Sequence, residues 1–165
     1  MALTLESPSF EDGGAIPERH TFYGDDVSPP LRWRGEPEGT RSFALVVEDP
    51  DAPDPQAPDE PFVHWIVYDL PPLAHELHED ASRAGLPRGA EQGVNDWGRP
   101  GWGGPKPPIG RHRYAFVLYA LDVALPVRGW RKGDLERAID GHVLDRAELV
   151  GTYAAPRDRQ RAVPS

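Results

Sequence analysis

The chain has 165 residues, no cysteine and a formal net charge of −9. Its length allows one domain with a real core, and the missing cysteine excludes a disulfide framework, a thiolate nucleophile and cysteine-ligated zinc. The negative charge repels nucleic acid and anionic lipid surfaces, and the arginines at 157, 159 and 161 form only a short basic tail.

Seventeen glycines and twenty prolines stay below the roughly 25–30% share that signals a low-complexity chain, and suit many tight turns between short strands. Residues 1–10 carry no basic stretch followed by an apolar run, so neither a signal peptide nor a membrane anchor is expected. The longest apolar run, residues 114–121, falls well short of the roughly twenty residues a spanning helix needs. The expectation is a single soluble domain over residues 1–165, located in a reducing cytoplasm.

A short strand is expected near Leu3 to Ser7, followed by a turn-rich, polar stretch over residues 8–41. Ser42 to Glu48, Phe62 to Leu70 and Arg113 to Asp122 are nearly continuous runs of Val, Ile, Leu, Phe and Tyr, bounded by Pro or Gly clusters. Continuous apolar character predicts strands covered on both faces. Residues 71–111 form a second turn-rich stretch. A helix is predicted with Asp134 as N-cap, with Leu135, Ala138, Ile139, His142 and Val143 on one face and Gly141 as terminator or kink. A last short strand is expected near Glu148 to Tyr153.

The chemistry collects at the strand ends. The first long strand runs out into Asp49-Pro50-Asp51-Ala52-Pro53, the second begins Phe62-Val63-His64-Trp65, and the third begins His112-Arg113-Tyr114. If the first two are antiparallel neighbours, Asp49, Asp51 and His64 converge. His112 joins them if the third strand starts at the same edge. The approach loop from Gly101 to Gly110 is rich in glycine and proline, which lets backbone N–H groups come close to a ligand.

His64 interrupts an apolar run where an unpaired polar group costs about 1–3 kcal/mol, so it needs a partner. That partner is either a backbone carbonyl, as for an ordinary core histidine, or an aspartate that holds the ring charged. For Asp49 and Asp51 the plain alternative is turn chemistry, since Asp-Pro pairs start turns. Pro50 and Pro53 allow a cis peptide bond. His112 is alternatively an exposed strand start, and the loop a plain connection. Trp97, Trp102 and Tyr114 are either rim packing or cover for the apolar part of a ligand.

At these positions the sequence resembles the phosphatidylethanolamine-binding protein family, and within it the bacterial branch labelled Raf kinase inhibitor-like. The resemblance rests on Asp49-Pro50-Asp51-Ala52-Pro53, His64-Trp65, Gly93-Val94-Asn95-Asp96-Trp97-Gly98, Gly104-Pro105-Lys106-Pro107-Pro108 and His112-Arg113-Tyr114, in that order. Ile16-Pro17, Ser28-Pro29-Pro30-Leu31, Gly141-His142-Val143-Leu144 and Gly151-Thr152-Tyr153 extend it over almost the whole chain. It implies a mainly β fold, with a large antiparallel central sheet packed on a smaller sheet and a few short helices. It also implies a small-anion pocket for phosphate or a phosphoethanolamine-like head group. Asp49, Asp51, His64, Gly104, Pro105, His112 and Tyr114 would line that pocket, and Ala52 and Pro53 would shape its wall. Trp102, where many bacterial members have tyrosine, and Phe22, where they often have cysteine, are departures near the rim.

The functional expectation is therefore a non-enzymatic binder of a small anion. In it His64 and His112, held by Asp49 and Asp51, donate hydrogen bonds to the anion together with loop N–H groups. A protein partner such as a kinase or protease, read through the same pocket, is compatible with this, and a homodimer is left open. The rival reading is a metal-dependent or histidine-based hydrolase, since two carboxylates and two histidines are also a metal-ligand set. Against it stand the absence of a His-Glu-x-x-His spacing and of a nucleophile-elbow serine. No cofactor is expected.

Overall fold

A computed structural model describes residues 2–158, so Arg159 and Arg161 of the basic tail lie outside the described residues. Among the described residues ten strands are present: β1 Thr4–Glu6, β2 Leu31–Arg34, β3 Ser42–Asp49, β4 Pro53–Asp54, β5 Ala57–Pro58, β6 Phe62–Leu70, β7 Glu76–Leu77, β8 Glu91–Gln92, β9 Arg111–Leu121 and β10 Val143–Ala154. The short helices α1 Ala81–Ala84 and α2 Lys132–Ile139 and a 3-10 turn at Glu18–His20 accompany them. The central sheet is antiparallel throughout, in the order β10-β9-β3-β6-β8, and a smaller sheet is ordered β1-β2-β7. The mainly β class, the two sheets and the short helices are as expected.

The three apolar runs become β3, β6 and β9, side by side at the middle of the large sheet. Their continuous apolar character has the anticipated cause, because both faces are buried. On one face Phe43, Leu45, Val47, Trp65, Phe116 and Leu118 pack against Leu5, Leu31, Trp33 and Leu77 of the small sheet. On the other, Ala44, Val46, Ile66, Tyr68 and Leu121 pack against Leu135 and Ile139 of α2 and against Leu125.

Several expectations need correction. Residues 8–41 and 71–111 are not wholly turn: they contain β2, β7, β8 and α1. The closing strand is twice as long as expected, since β10 pairs with β9 from Val143 to Ala154. Asp134 is not the N-cap but lies one turn in, and its Oδ2 accepts a hydrogen bond from the N–H of Arg131 at 2.9 Å. This is the N3 half of a capping box. The helix stops at Ile139, and Gly141 follows with φ of 80°, the left-handed conformation that glycine adopts without strain. His142 and Val143 lie beyond the helix, and the His142 ring is hydrogen-bonded to Asp122 at 2.8 Å.

Candidate functional site

Strand pairing brings the expected ends together. Asp49 of β3 faces Phe62 of β6, and Glu48 faces Ala115 of β9, so all three strands present their functional ends at one edge. Asp49 continues the alternation of Phe43, Leu45 and Val47, and His112 and Tyr114 continue that of Phe116 and Leu118. His64 arrives differently. Val47 pairs with Trp65 but Glu48 pairs with Val63, so His64 is an extra residue with no Cα partner on β3. Such a bulge re-aims a side chain out of strict alternation.

A cavity of about 220 Å³ opens at this edge, lined by Asp49, Ala52, Pro53, Phe62, His64, Trp97, Lys106, Pro107, Pro108 and Tyr114. Of the residues expected there, Asp49, Ala52, Pro53, His64 and Tyr114 line it. The Ala52–Pro53 peptide bond is cis. Asp51, Gly104, Pro105 and His112 are not among its lining residues. Phe62, Lys106, Pro107 and Pro108 were not named as lining residues from the sequence, and of the two readings of Trp97, rim packing or cover for a ligand, the indole lines the cavity.

The hydrogen bonds of the four ionisable groups differ from the expectation that the aspartates hold both histidines. His112 is completely buried, not an exposed strand start. Its Nδ1 meets Asp49 Oδ2 at 2.5 Å and its Nε2 meets the Ile109 carbonyl at 2.8 Å. Both partners only accept, so the ring is satisfied in full only as imidazolium. Burial, the largest single influence, acts to lower its pKa, but the hydrogen bond and charge of Asp49, with help from Ile109 and Asp51, lift it above the ordinary histidine value. The remaining Asp49 oxygen accepts from the N–H of Asp51 at 2.8 Å, so turn chemistry is part of its role.

Asp51 holds an arginine rather than a histidine. Arg113 donates from Nε to Oδ2 at 3.0 Å, from a terminal nitrogen to Oδ1 at 2.8 Å, and from its backbone N–H at 2.8 Å. The guanidinium hydrogen bond is the main reason that the Asp51 carboxyl sits below the ordinary range. For His64 the partner is a backbone carbonyl: Nδ1 is 2.6 Å from Gly103 O, and among the described residues Nε2 makes no hydrogen bond. Burial pushes its pKa down to about 4, against the smaller opposing effects of the Gly103 carbonyl, Asp49 and Asp96. Aspartates holding both rings would raise both histidine pKa values, but only that of residue 112 is raised.

The approach loop also departs from expectation, because four of its amides are already committed. Trp102 N donates to Ser82 Oγ at 2.8 Å, Gly103 N to His64 O at 3.1 Å, Gly104 N to Asp26 Oδ1 at 2.8 Å and Gly110 N to Asp158 at 3.1 Å. Asp26 was not visible as a site-building residue in the sequence. Glycine at 104 is required by space, since a Cβ would lie 2.4 Å from both Asp26 Oδ1 and His20 O. At 103 a Cβ would lie 2.3 Å from the Trp97 ring, so this glycine lets the indole form the cavity wall. Trp97 itself is presented by a turn built on fully buried Asn95, which accepts from Trp97 N at 3.0 Å and donates to Gly101 O at 2.9 Å.

What remains for a ligand is a compact set. Tyr114 lines the cavity, is 1% exposed, and its hydroxyl is buried without a hydrogen-bond partner among the described residues. Burial is the first reason its pKa is raised, so it stays a proton donor. Lys106 Nζ stands 4.1 Å over the Phe22 ring. Phe62, Trp97 and Tyr114 each meet His64 edge-on, with centroids 5.3, 5.0 and 5.2 Å away. The four ionisable residues do not form a metal centre: the ring nitrogens of His112 and the oxygens of Asp51 are spent on protein partners. Among the described residues no group of three or more His, Asp or Glu side chains is placed to hold an ion. No helix among them is long and apolar enough to cross a membrane.

Comparison with known proteins agrees with this architecture. A profile of the family described as phosphatidylethanolamine-binding protein matches residues 6–154. A UPF0098 protein of Methanothermobacter thermautotrophicus is 44% identical over 153 residues, covering 92% of this chain and 98% of that protein. One from Aquifex aeolicus is also 44% identical, over 156 residues, covering 92% of this chain and 88% of its own. Among solved structures, a phosphatidylethanolamine-binding protein homologue from Chlamydia trachomatis superposes with a TM-score of 0.84 at 41% identity, covering 93% of this chain and 98% of that one. An E. coli protein described as a member of the mammalian family superposes at 0.85 and 33% identity, covering 94% and 99%. On sequence and fold together, the chain belongs to the phosphatidylethanolamine-binding protein family.

Proposed function

We propose that this protein binds a small phosphate-type anion in the cavity at the edge of its central sheet, without chemical conversion. The observation that carries the reading is the hydroxyl of Tyr114, a residue that lines the cavity: this donor is buried and has no partner among the described residues. A buried donor left unpaired costs about 1–3 kcal/mol, which a ligand oxygen recovers. Lys106 adds positive charge at the same wall. The Asp49 carboxylate would repel an anion, but the imidazolium of His112 against it neutralises that charge. His112 thus acts through Asp49 rather than by touching the ligand. Pro53, Phe62, Trp97 and Pro107 supply the apolar wall typical of a ligand site.

Titration with inorganic phosphate tests this directly. The wild-type protein is expected to bind one phosphate, and Tyr114→Phe and Lys106→Met are each expected to weaken it by about tenfold. Wild-type affinity in both variants would overturn the assignment of the cavity.

A protein carrying the anionic group is the second reading, favoured by the exposed aromatics beside the cavity. Phe22, Tyr23 and Trp97 are 52%, 41% and 42% exposed. Tyr23 belongs to an adjoining groove that shares Lys106, Pro107 and Pro108 with the cavity. Retention of every captured partner by a His64→Ala, Asp51→Ala double variant would remove the pocket as its interface.

A further inference from the structure

The cavity's polar atoms divide unevenly between donors and acceptors. Tyr114 Oη and Lys106 Nζ donate. Asp49 has both oxygens occupied, by His112 and by the N–H of Asp51. His64 stands opposite in kind. Its Nδ1 meets a carbonyl, which only accepts, so Nδ1 carries the hydrogen and Nε2 is left with a lone pair. Among the described residues Nε2 is therefore an unpaired acceptor, whereas each Asp49 oxygen already accepts one hydrogen bond.

An anion whose oxygens all accept, such as sulfate or a phosphodiester, satisfies Tyr114 and Lys106 but turns a lone pair toward Nε2. A singly protonated phosphomonoester has both kinds of oxygen on one phosphorus. Its P–OH donates to Nε2 while the other oxygens accept from Tyr114 and Lys106. We infer, on the reading that this cavity holds an anion, that it selects singly protonated phosphomonoesters over phosphodiesters, with His64 Nε2 as the specificity-determining acceptor. The head group of an intact phospholipid, which is a diester, is then a poor ligand, and a free phosphomonoester a good one.

The surroundings of His64 favour the neutral ring that this requires. Burial lowers its pKa to about 4, the Gly103 carbonyl, Asp49 and Asp96 oppose this, and His112 adds to it. The rings of Phe62, Trp97 and Tyr114 occupy the other approaches. Near neutrality the proton shared with Nε2 must come from the ligand.

Calorimetry with two matched pairs separates the possibilities. Methyl phosphate and dimethyl phosphate carry the same single negative charge at about pH 5.5, below the second ionisation of a monoester near 6. Phosphoethanolamine and glycerophosphoethanolamine form the corresponding head-group pair, free and attached to glycerol. In each pair the monoester is expected to bind at least about tenfold more tightly, the cost of leaving one buried acceptor unpaired. Above about pH 6 the ratio is expected to fall as the monoester loses its proton. His64, with its pKa lowered to about 4, stays neutral over this range, and the charges of His112, Asp49 and Asp96 act on both members of a pair and cancel in that ratio. In His64→Phe the ratio is expected to approach one while the diester still binds; if this variant does not fold, the wild-type ratio and its pH dependence decide. Equal affinities within both pairs overturn the inference and leave the anion reading standing, whereas no binding of any of the four ligands removes both.

Discussion

The hydroxyl of Tyr114 separates a binding role from a packing role, because it has no partner to lose when it is deleted. Tyr114→Phe is therefore expected to leave the urea midpoint unchanged or slightly raised while phosphate affinity falls. His112→Ala should behave in the opposite way. It leaves Asp49 charged and buried, which costs about 3–5 kcal/mol of stability. The two site histidines also give stability opposite pH dependences. His112 has a raised pKa, so its contribution is complete below the unfolded value of about 6.5 and is lost as pH rises through the raised folded value. His64 has a lowered pKa, so its contribution is complete above about 6.5 and is lost as pH falls toward 4. Urea melts across pH should show greatest stability near neutrality, and His64→Phe should flatten the acid side. At this scale the sequence revealed the residues better than their partners. His64 stood out because it interrupts an apolar run, and Tyr114 through the His112-Arg113-Tyr114 stretch that opens the third strand. That Asp51 holds Arg113, that a carbonyl holds His64, and that Asp26 holds Gly104 depend on loop paths that no local pattern encodes.

The elements keep scaffold and site on different faces of the central sheet. Leu135 and Ile139 of α2 pack on the face opposite Tyr114. Leu135→Ala is expected to cost about 2–5 kcal/mol of stability, read by denaturant unfolding, with phosphate affinity unchanged below the shifted transition. Gly103→Ala should do the reverse, displacing the Trp97 ring from the cavity wall and weakening phosphate while global stability changes less. The long strands were legible because burial on both faces writes an unbroken apolar run. β7 and β8 were not, since two residues each are too few to show a period. In β2 the alternation Leu31-Arg32-Trp33-Arg34 spans only four residues after a proline pair. The bulge at His64 was invisible, because an extra residue exists only relative to the register of the neighbouring strand.

For the whole molecule, a net charge of −9 means that an anion approaches against the long-range field and is held only by local donors. Raising the ionic strength with a non-competing salt should therefore speed phosphate association, because screening over a Debye length of about 10 Å at 0.1 M weakens the repulsion. Stopped-flow rates falling with salt would indicate a steering basic surface instead. The convergence of residues 49, 64 and 112 was legible from the sequence, because three antiparallel neighbours place alternate chain ends at one edge. The most direct measurement is a crystal structure of the protein soaked in phosphate. A phosphate within hydrogen-bond distance of Tyr114 Oη, beside His64 and Lys106, is the predicted result. An unoccupied cavity at saturating phosphate, with ions only on the surface, would contradict it.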